Sequence, residues 1–455
     1  MNIQKLNIST DIDICLLFQH FANQPWACLL DSANSQHQDA RFDLFVAAPV
    51  TTLTTINGIT QVYDYQQQQL SMQDDDPLLI VQQQIQRIFG NDTFESDLPF
   101  SGGAMGYMAY DLGRQFESIP ELAIDDYHSP QMAMGIYTWA VIKDHHLQQW
   151  LLVTHADFAA PSANELELKA NQPLTSATPF KLSTPWQSNM TEAEYHSKFD
   201  QVQQHLLAGD CYQVNLSQRF SATYQGDEWQ AYIGLRNANK APFSAFIRLP
   251  EACVLSISPE RFIAVDGQQV QTRPIKGTRP RKQEAQADEL MKTELRHSTK
   301  DQAENLMIVD LLRNDLSKSC VAGSVKVPQL FAIESFPAVH HLVSTVVGTL
   351  KPELSALDLL RGAFPGGSIT GAPKISSMQV IEDLEPHRRN VYCGSIGYIS
   401  VNGKMDTNIC IRTLLCEQSK IYCWAGGGLV VDSDVDEEYQ ETFHKVDKIL
   451  PVLSS

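Results

Sequence analysis

Apolar and polar positions alternate with period two through the first third of the chain, the pattern of strands with one face buried. Its sharpest instance is TTLTTI followed by ITQVY, joined by Asn57-Gly58, a pair that accepts the positive φ a two-residue hairpin turn needs. Glutamine tracts at 66–69 and 82–84 read as exposed surface. Residues 159–190 are rich in Pro, Ser, Ala and Asn and mark a boundary, dividing an N-terminal region (1–185) from a catalytic one (186–455). Beyond it the period lengthens to that of a helix over about 191–208. Strands follow over 211–224 and 243–248, with a strand pair, SISPERFIAV and QQVQTRPI, turning at Asp266-Gly267. A long helix begins near Ser298 and a last one near 435, and GYISV, KMDTNICIRTLL and IYCWAGGG read as a three-stranded meander. Runs of strands with helices inserted at intervals predict an α+β architecture.

Composition narrows the function. With 53 acidic against 34 basic residues, the net charge is −19, which argues against nucleic acid or anionic membrane as the main partner. No apolar run reaches the ~18 residues of a membrane span, and the N-terminus lacks a signal-peptide core, so a soluble cytoplasmic protein is expected. Nine cysteines without a CxxC pair read as small buried hydrophobes rather than zinc ligands or disulfides.

Against this acidic background RPIKGTRPRK (273–282) is a local exception. Three readings stand: a solvated loop, an anion contact, or a chemically active Lys276. Two helices each carry acidic residues at i, i+3, Asp301 with Glu304 and Glu438 with Glu441, which are either solvated faces or, across two packed helices, oxygen ligands suited to Mg²⁺. FPGGSITGAPK is a glycine-rich turn entering a helix, without the Lys of a Walker A loop. The run Gly426-Gly427-Gly428 ends a strand. Both are either turns or places where a ligand nears the backbone. By alternation Arg412 shares a strand face with Asn408 and Cys410, and needs an anionic partner.

The ordered motifs GDCYQVNLSQRF (209), SPERF (258), RPIKGT (273), DQAENLMIVDLLRND (301), VHHLVS (339), FPGGSITGAPK (364), IRT (411), AGGGLVVDS (425) and EYQET (438) resemble those of the chorismate-utilising, anthranilate synthase component I-like family. That resemblance implies two large, mostly antiparallel sheets packed together with helices outside, and chorismate as substrate. It implies Mg²⁺ on Glu304 and Glu441 with Asp301 and Glu438 beside them. Arg412 and Tyr398 would meet the enolpyruvyl carboxylate with backbone N–H groups around Gly426 and Gly428, and Thr370 and His341 would line the ring. Gln213 together with Lys276 resembles the aminodeoxychorismate synthase branch, which replaces the 4-hydroxyl by an amino group on the route to 4-aminobenzoate and folate. Anthranilate synthases have alanine in place of Lys276, and isochorismate synthases lysine in place of Gln213. The branch implies a heterodimer with a glutamine amidotransferase that supplies ammonia. Relatives also hold tryptophan in an N-terminal pocket, which Leu30, Ser32, Pro242, Phe243 and Ser244 resemble, with Asp31 where feedback-inhibited relatives have glutamate. A tryptophan-binding regulatory module is the alternative from another class, and anthranilate synthase the alternative within this one.

In such a site two roles for Lys276 stand: a cation or proton donor near C4 with no bond formed, or a neutral amine that would attack C2 of the ring while Glu260 protonates the departing 4-hydroxyl. In the second, ammonia then enters at C4 and expels the lysine. Mg²⁺ and Arg273 are expected to lower the lysine pKa, and Arg279, Arg281 and Lys282 to form a mobile exposed loop.

Overall fold

The computed structural model describes residues 1–35, 37–90, 96–172, 178–335 and 339–454. The boundary read at 159–190 lies partly outside them, at 173–177. Among the described residues there are two large sheets, of thirteen and twelve strands, whose pairs are antiparallel. The first runs from Asn2–Leu6 through Phe42–Val46, Cys28–Asp31, Phe243–Arg248, Ala252–Ser258, Thr413–Glu417 and Lys420–Leu429 to Gln213–Gln225. The second contains Thr51–Ile56, Gly103–Met108, Ser395–Ser400, Met405–Asn408, Arg261–Asp266 and Val339–Thr349. Strands from both sides of residue 185 pair within each sheet, as Cys28–Asp31 does with Phe243–Arg248 and Gly103–Met108 with Ser395–Ser400.

Alternation explains the layering. On Phe243–Arg248, Ala245 and Ile247 face the core shared with Tyr107, Met134 and Ile396 of the other sheet. Phe246 points the opposite way, onto Trp229 and Tyr232 of the covering helix Glu228–Asn239. Both faces are buried, so Ala245, Phe246 and Ile247 form an unbroken apolar run.

The helices start where the sequence places them. Thr191 caps Glu192–Ala208 in a reciprocal capping box with Glu194, and Gly209 closes it at φ 82°. Ser298 caps Thr299–Ser319, and Asp434 caps Val435–His444. The second glutamine tract falls inside the helix Pro77–Phe89, where Gln84 is buried.

The expected meander is not formed. Met405–Asn408 belongs to the second sheet, and Thr413–Glu417 to the first. Between them residues 409–412 cross from one sheet to the other, with Arg412 at φ 52°. Residues 259–260 make the matching crossing between Ala252–Ser258 and Arg261–Asp266, and the two crossings are tied by Ile409 N–H to Glu260 O (3.0 Å) and Ile257 N–H to Arg412 O (3.0 Å). Side chains that a flat meander would spread along a face are thereby delivered to one place.

Candidate active site

Lys276 lies on the strand Ile275–Pro280, whose register against Val339–Thr349 slips between Ile275 and Thr278. Gly277 there has φ 79°, and a Cβ on it would stand 2.9 Å from the Asp301 carboxyl. An irregularity of this kind re-aims a side chain, here Lys276. Its electrostatic neighbours are Glu304, Lys445, Glu260 and Glu441. Burial, the largest influence, holds the amine below its ordinary pKa; Glu304 opposes this, Lys445 adds to it, and Glu260 and Glu441 oppose it.

Arg273 is not part of that environment. Its guanidinium donates to Asp39 (2.8 Å) and to Glu334, and the cation beside Lys276 is Lys445. Arg281 and Lys282 are exposed, as expected, but Arg279 and Arg281 are both paired. Arg279 pairs with Glu294 (2.7 Å) and Asp301 (3.1 Å), Arg281 with Asp288 (2.9 Å), and the backbone N–H of Lys282 donates to Asp288. The predominantly acidic chain supplies carboxylates against which the two guanidinium groups dock.

Glu260 is buried at the sheet crossing. Its carboxyl is pushed up to about 7, chiefly by burial; Lys276, the Ser368 hydroxyl and the backbone N–H of Ile275 work in the opposite direction. Thr370, expected to line the ring, turns its fully buried hydroxyl into its own loop and donates to the carbonyls of Gly366 (3.1 Å) and Gly367 (3.3 Å).

Of the acidic pairs, Glu438 is buried, whereas the Glu441 side chain is 47% exposed. Glu438 is 7% exposed, accepts from Ser433 (2.7 Å), and approaches Gly427 so closely that a Cβ there would lie 2.6 Å from its Oε2. Burial raises the pKa of both Glu304 and Glu438, whereas Lys445, at 2.6 Å, holds Glu441 low. Asp301 is near Glu304 and also pairs with Arg279 (3.1 Å).

Lys445 also donates to the Gly426 carbonyl (2.7 Å). The sequence reading missed this residue, although its i, i+4 spacing from Glu441 is the signal of a helical ion pair. Gly426 and Gly428 pair with Ser217 and Asn215. Gly428 makes room for Gln213, whose Nε2 would stand 1.8 Å from a Cβ at that position and whose Oε1 is buried without a hydrogen-bond partner.

Arg412 makes no ion pair among the described residues. Burial lowers its pKa, with Asp447 opposing. Its nearness, together with burial as the larger effect, pushes His341 down to about 3, so that ring is neutral, with its Nδ1 2.9 Å from the Thr278 hydroxyl. Lys276, Glu260, Glu304, Glu438, Glu441, Arg412, His341 and Gln213 are joined through these neighbours.

Tyr398 is not. Its strand places it on a separate cavity of about 250 Å³ that is also lined by Leu30, Pro242, Phe243, Ser244 and Asp406. Period-two alternation along Ser395–Ser400 and its pairing with Asp406 fix that direction. Ser32 lies beside this cavity, its N–H on Asp43 (2.7 Å) and its hydroxyl buried and unpartnered. Asp31, which also lines the cavity, is held by Arg236 (3.1 Å) and Tyr232 (3.1 Å). No described helix is long and apolar enough to cross a membrane.

Residues 27–451 match the chorismate binding enzyme family. The chain is 54% identical over 436 residues to aminodeoxychorismate synthase component 1 of Escherichia coli, covering 96% of this chain and 95% of that one. It is 53% identical over 431 residues to the protein of the same name from Salmonella typhimurium, covering 95% and 94%. Among solved structures, anthranilate synthase component I from Streptococcus pneumoniae superposes with a TM-score of 0.77 at 31% identity, covering 91% of this chain and 93% of that one. With a shared fold and near full-length identity, the chain belongs to the chorismate binding enzyme family.

Proposed function

We propose that this chain converts chorismate and ammonia to 4-amino-4-deoxychorismate, as the chorismate-processing component of an aminodeoxychorismate synthase. The observation that carries the reading is the pairing of an amine, Lys276, held below its ordinary pKa by desolvation, with a carboxyl, Glu260, whose pKa of about 7 leaves about half of it protonated at neutrality. The near full-length identity to proteins of that name supports it.

The chemistry balances with these two groups. The neutral Lys276 amine bonds to C2, the double bonds shift, and the C4–O bond breaks as Glu260 gives its proton to the leaving hydroxyl, releasing water. Ammonia then bonds to C4, the double bonds return, and the C2–N bond breaks to restore Lys276. The new ammonium at C4 returns a proton to Glu260. Arg412, lacking an ion partner, is suited to a substrate carboxylate, and neutral His341 to packing beside the ring.

Glu304, Glu438 and Glu441 fit Mg²⁺: they are hard oxygen donors on two helices, and burial leaves the first two short of compensating charge. When bound, the ion supplies a Lewis-acidic grip on the ring carboxylate. Glu304 and Glu441 would hold it, with Glu438 alongside. Ammonia is supplied by a glutamine amidotransferase subunit in a heterodimer, and tryptophan is the occupant that suits the Leu30–Phe243 cavity.

The test is product identification from chorismate, Mg²⁺ and ammonium salt without a second subunit. 4-Amino-4-deoxychorismate is expected. Anthranilate would place the chain in the other branch, and unconsumed chorismate would leave only a binding role.

A further inference from the structure

Arg389 takes no direct part in the chemistry above, yet among the described residues it is a buried cation with hydrogen bonds to Glu385, Ile369 and Asn215. Its side chain is 1% exposed. Nε and Nη2 donate to the two oxygens of Glu385 (2.9 and 2.7 Å), Nη1 donates to the Ile369 carbonyl (3.0 Å), and Nη2 donates to Asn215 through both its carbonyl (2.8 Å) and its Oδ1 (3.2 Å). Glu385 in turn accepts the N–H and the hydroxyl of Ser217, each at 2.8 Å.

One planar fork therefore fastens three segments: the strand Gln213–Gln225, the glycine-rich loop, and the end of the helix Lys374–Leu384. Two of them carry site residues. Ile369 adjoins Ser368, which bonds Glu260, and Asn215 stands two residues from Gln213 and opposite Gly428. A further link, Asn215 N–H to the Thr370 carbonyl (2.9 Å), closes the loop onto the strand. A buried ion pair is a weak source of stability, since apolar replacements of similar volume are often neutral or better. What the fork does supply is fixed geometry between two segments, which a lysine ammonium with its compact head cannot reproduce.

Taking the site as the amination centre proposed above, we infer that Arg389 is a positioning residue: through Asn215 and Ile369 it sets Gln213 and Ser368 against each other across the reacting ring. Neither carboxylate of chorismate is held by this clamp, so its loss should act on turnover rather than on substrate affinity.

The test uses the full chain with chorismate, Mg²⁺ and ammonium, comparing wild type with Arg389→Lys and with Asn215→Ala, which removes one acceptor and leaves the Glu385 pair in place. For Arg389→Lys, kcat is expected to fall about 100-fold, the scale of a small misplacement. KM for chorismate should stay within about threefold, the signature of an interaction made in the transition state. Asn215→Ala should show the same split with a smaller fall, and it carries the test alone if Arg389→Lys does not fold. Peptide-level hydrogen exchange adds a readout that does not depend on the reaction: residues 213–217 and 367–372 should exchange faster in both variants than in wild type. Unchanged kcat in folded variants, a rise in KM matching the fall in kcat, or unchanged exchange in these segments overturns the inference. A wild type that exchanges as described but does not aminate chorismate overturns the proposed function and leaves the clamp standing.

Discussion

Glu260→Gln removes one titration and little volume, and its consequence for stability can be worked from the site. The native carboxyl has a pKa of about 7 against an ordinary 4.5, because burial penalises its charged form. The folded state therefore holds a proton that the unfolded chain has already released between roughly pH 4.5 and 7. Stability falls as pH rises through that window and is independent of this group above it. At about 1.4 kcal/mol per pKa unit, the shift corresponds to roughly 3 kcal/mol. Urea unfolding of wild type and Glu260→Gln, measured in parallel from pH 4.5 to 8.5, should show the variant gaining roughly 3 kcal/mol relative to wild type across the window, then running parallel to it. Equal slopes for the two proteins at every pH would refute the reasoning, since Glu260 would then titrate alike in both states. Activity gives an independent check: wild-type turnover with ammonium should decline above about pH 7 as the acid is lost. The variant should lose on the order of 10²- to 10⁴-fold in kcat together with that alkaline limb.

Other perturbations follow from the same geometry. Lys276→Ala should lower kcat by on the order of 10³-fold or more, and Lys276→Arg should not restore it, because a guanidinium stays charged; steady-state rates with ammonium decide both. Arg412→Lys should raise KM for chorismate by about 10- to 100-fold, the equivalent of a charged hydrogen bond, with the fold intact by circular dichroism. Gly428→Ala forces a methyl into the space of the Gln213 amide, 1.8 Å away, and should lower kcat by about 10- to 100-fold while melting changes little. Asp31→Asn leaves Arg236 buried with a weakened partner and should cost about 3 kcal/mol in chemical unfolding.

Local signals in the sequence were reliable where they are physically local. The helix starts near 191, 298 and 435 and the Asn57-Gly58 hairpin depend on neighbouring residues, and the helices, capped by Thr191, Ser298 and Asp434, and the turn stand where those residues put them. Periodicity gave which side chains share a strand face but not to which sheet a strand belongs. GYISV through IYCWAGGG therefore read as one meander, although its two halves lie in different layers. The same limit separates Tyr398 from Arg412: only the crossing at 409–412 reveals that the tyrosine faces the other cavity. Ser368 lies on a loop with no regular period, so the facing of its hydroxyl toward Glu260 is decided by the path of the backbone and was not legible in the sequence. Arg279 and Arg281 looked solvated because their carboxylate partners, Glu294, Asp301 and Asp288, lie on helices that only tertiary packing brings alongside.

The central claim is that the Lys276 nitrogen becomes bonded to the substrate ring. The direct measurement is peptide mass analysis after rapid acid quench of enzyme mixed with chorismate and Mg²⁺ in the absence of ammonium. The account predicts a Lys276-containing peptide heavier by chorismate less one water, a species that disappears when ammonium is added before the quench. An enzyme that aminates chorismate at full rate, yet shows this peptide at its unmodified mass at every quench time, would contradict it.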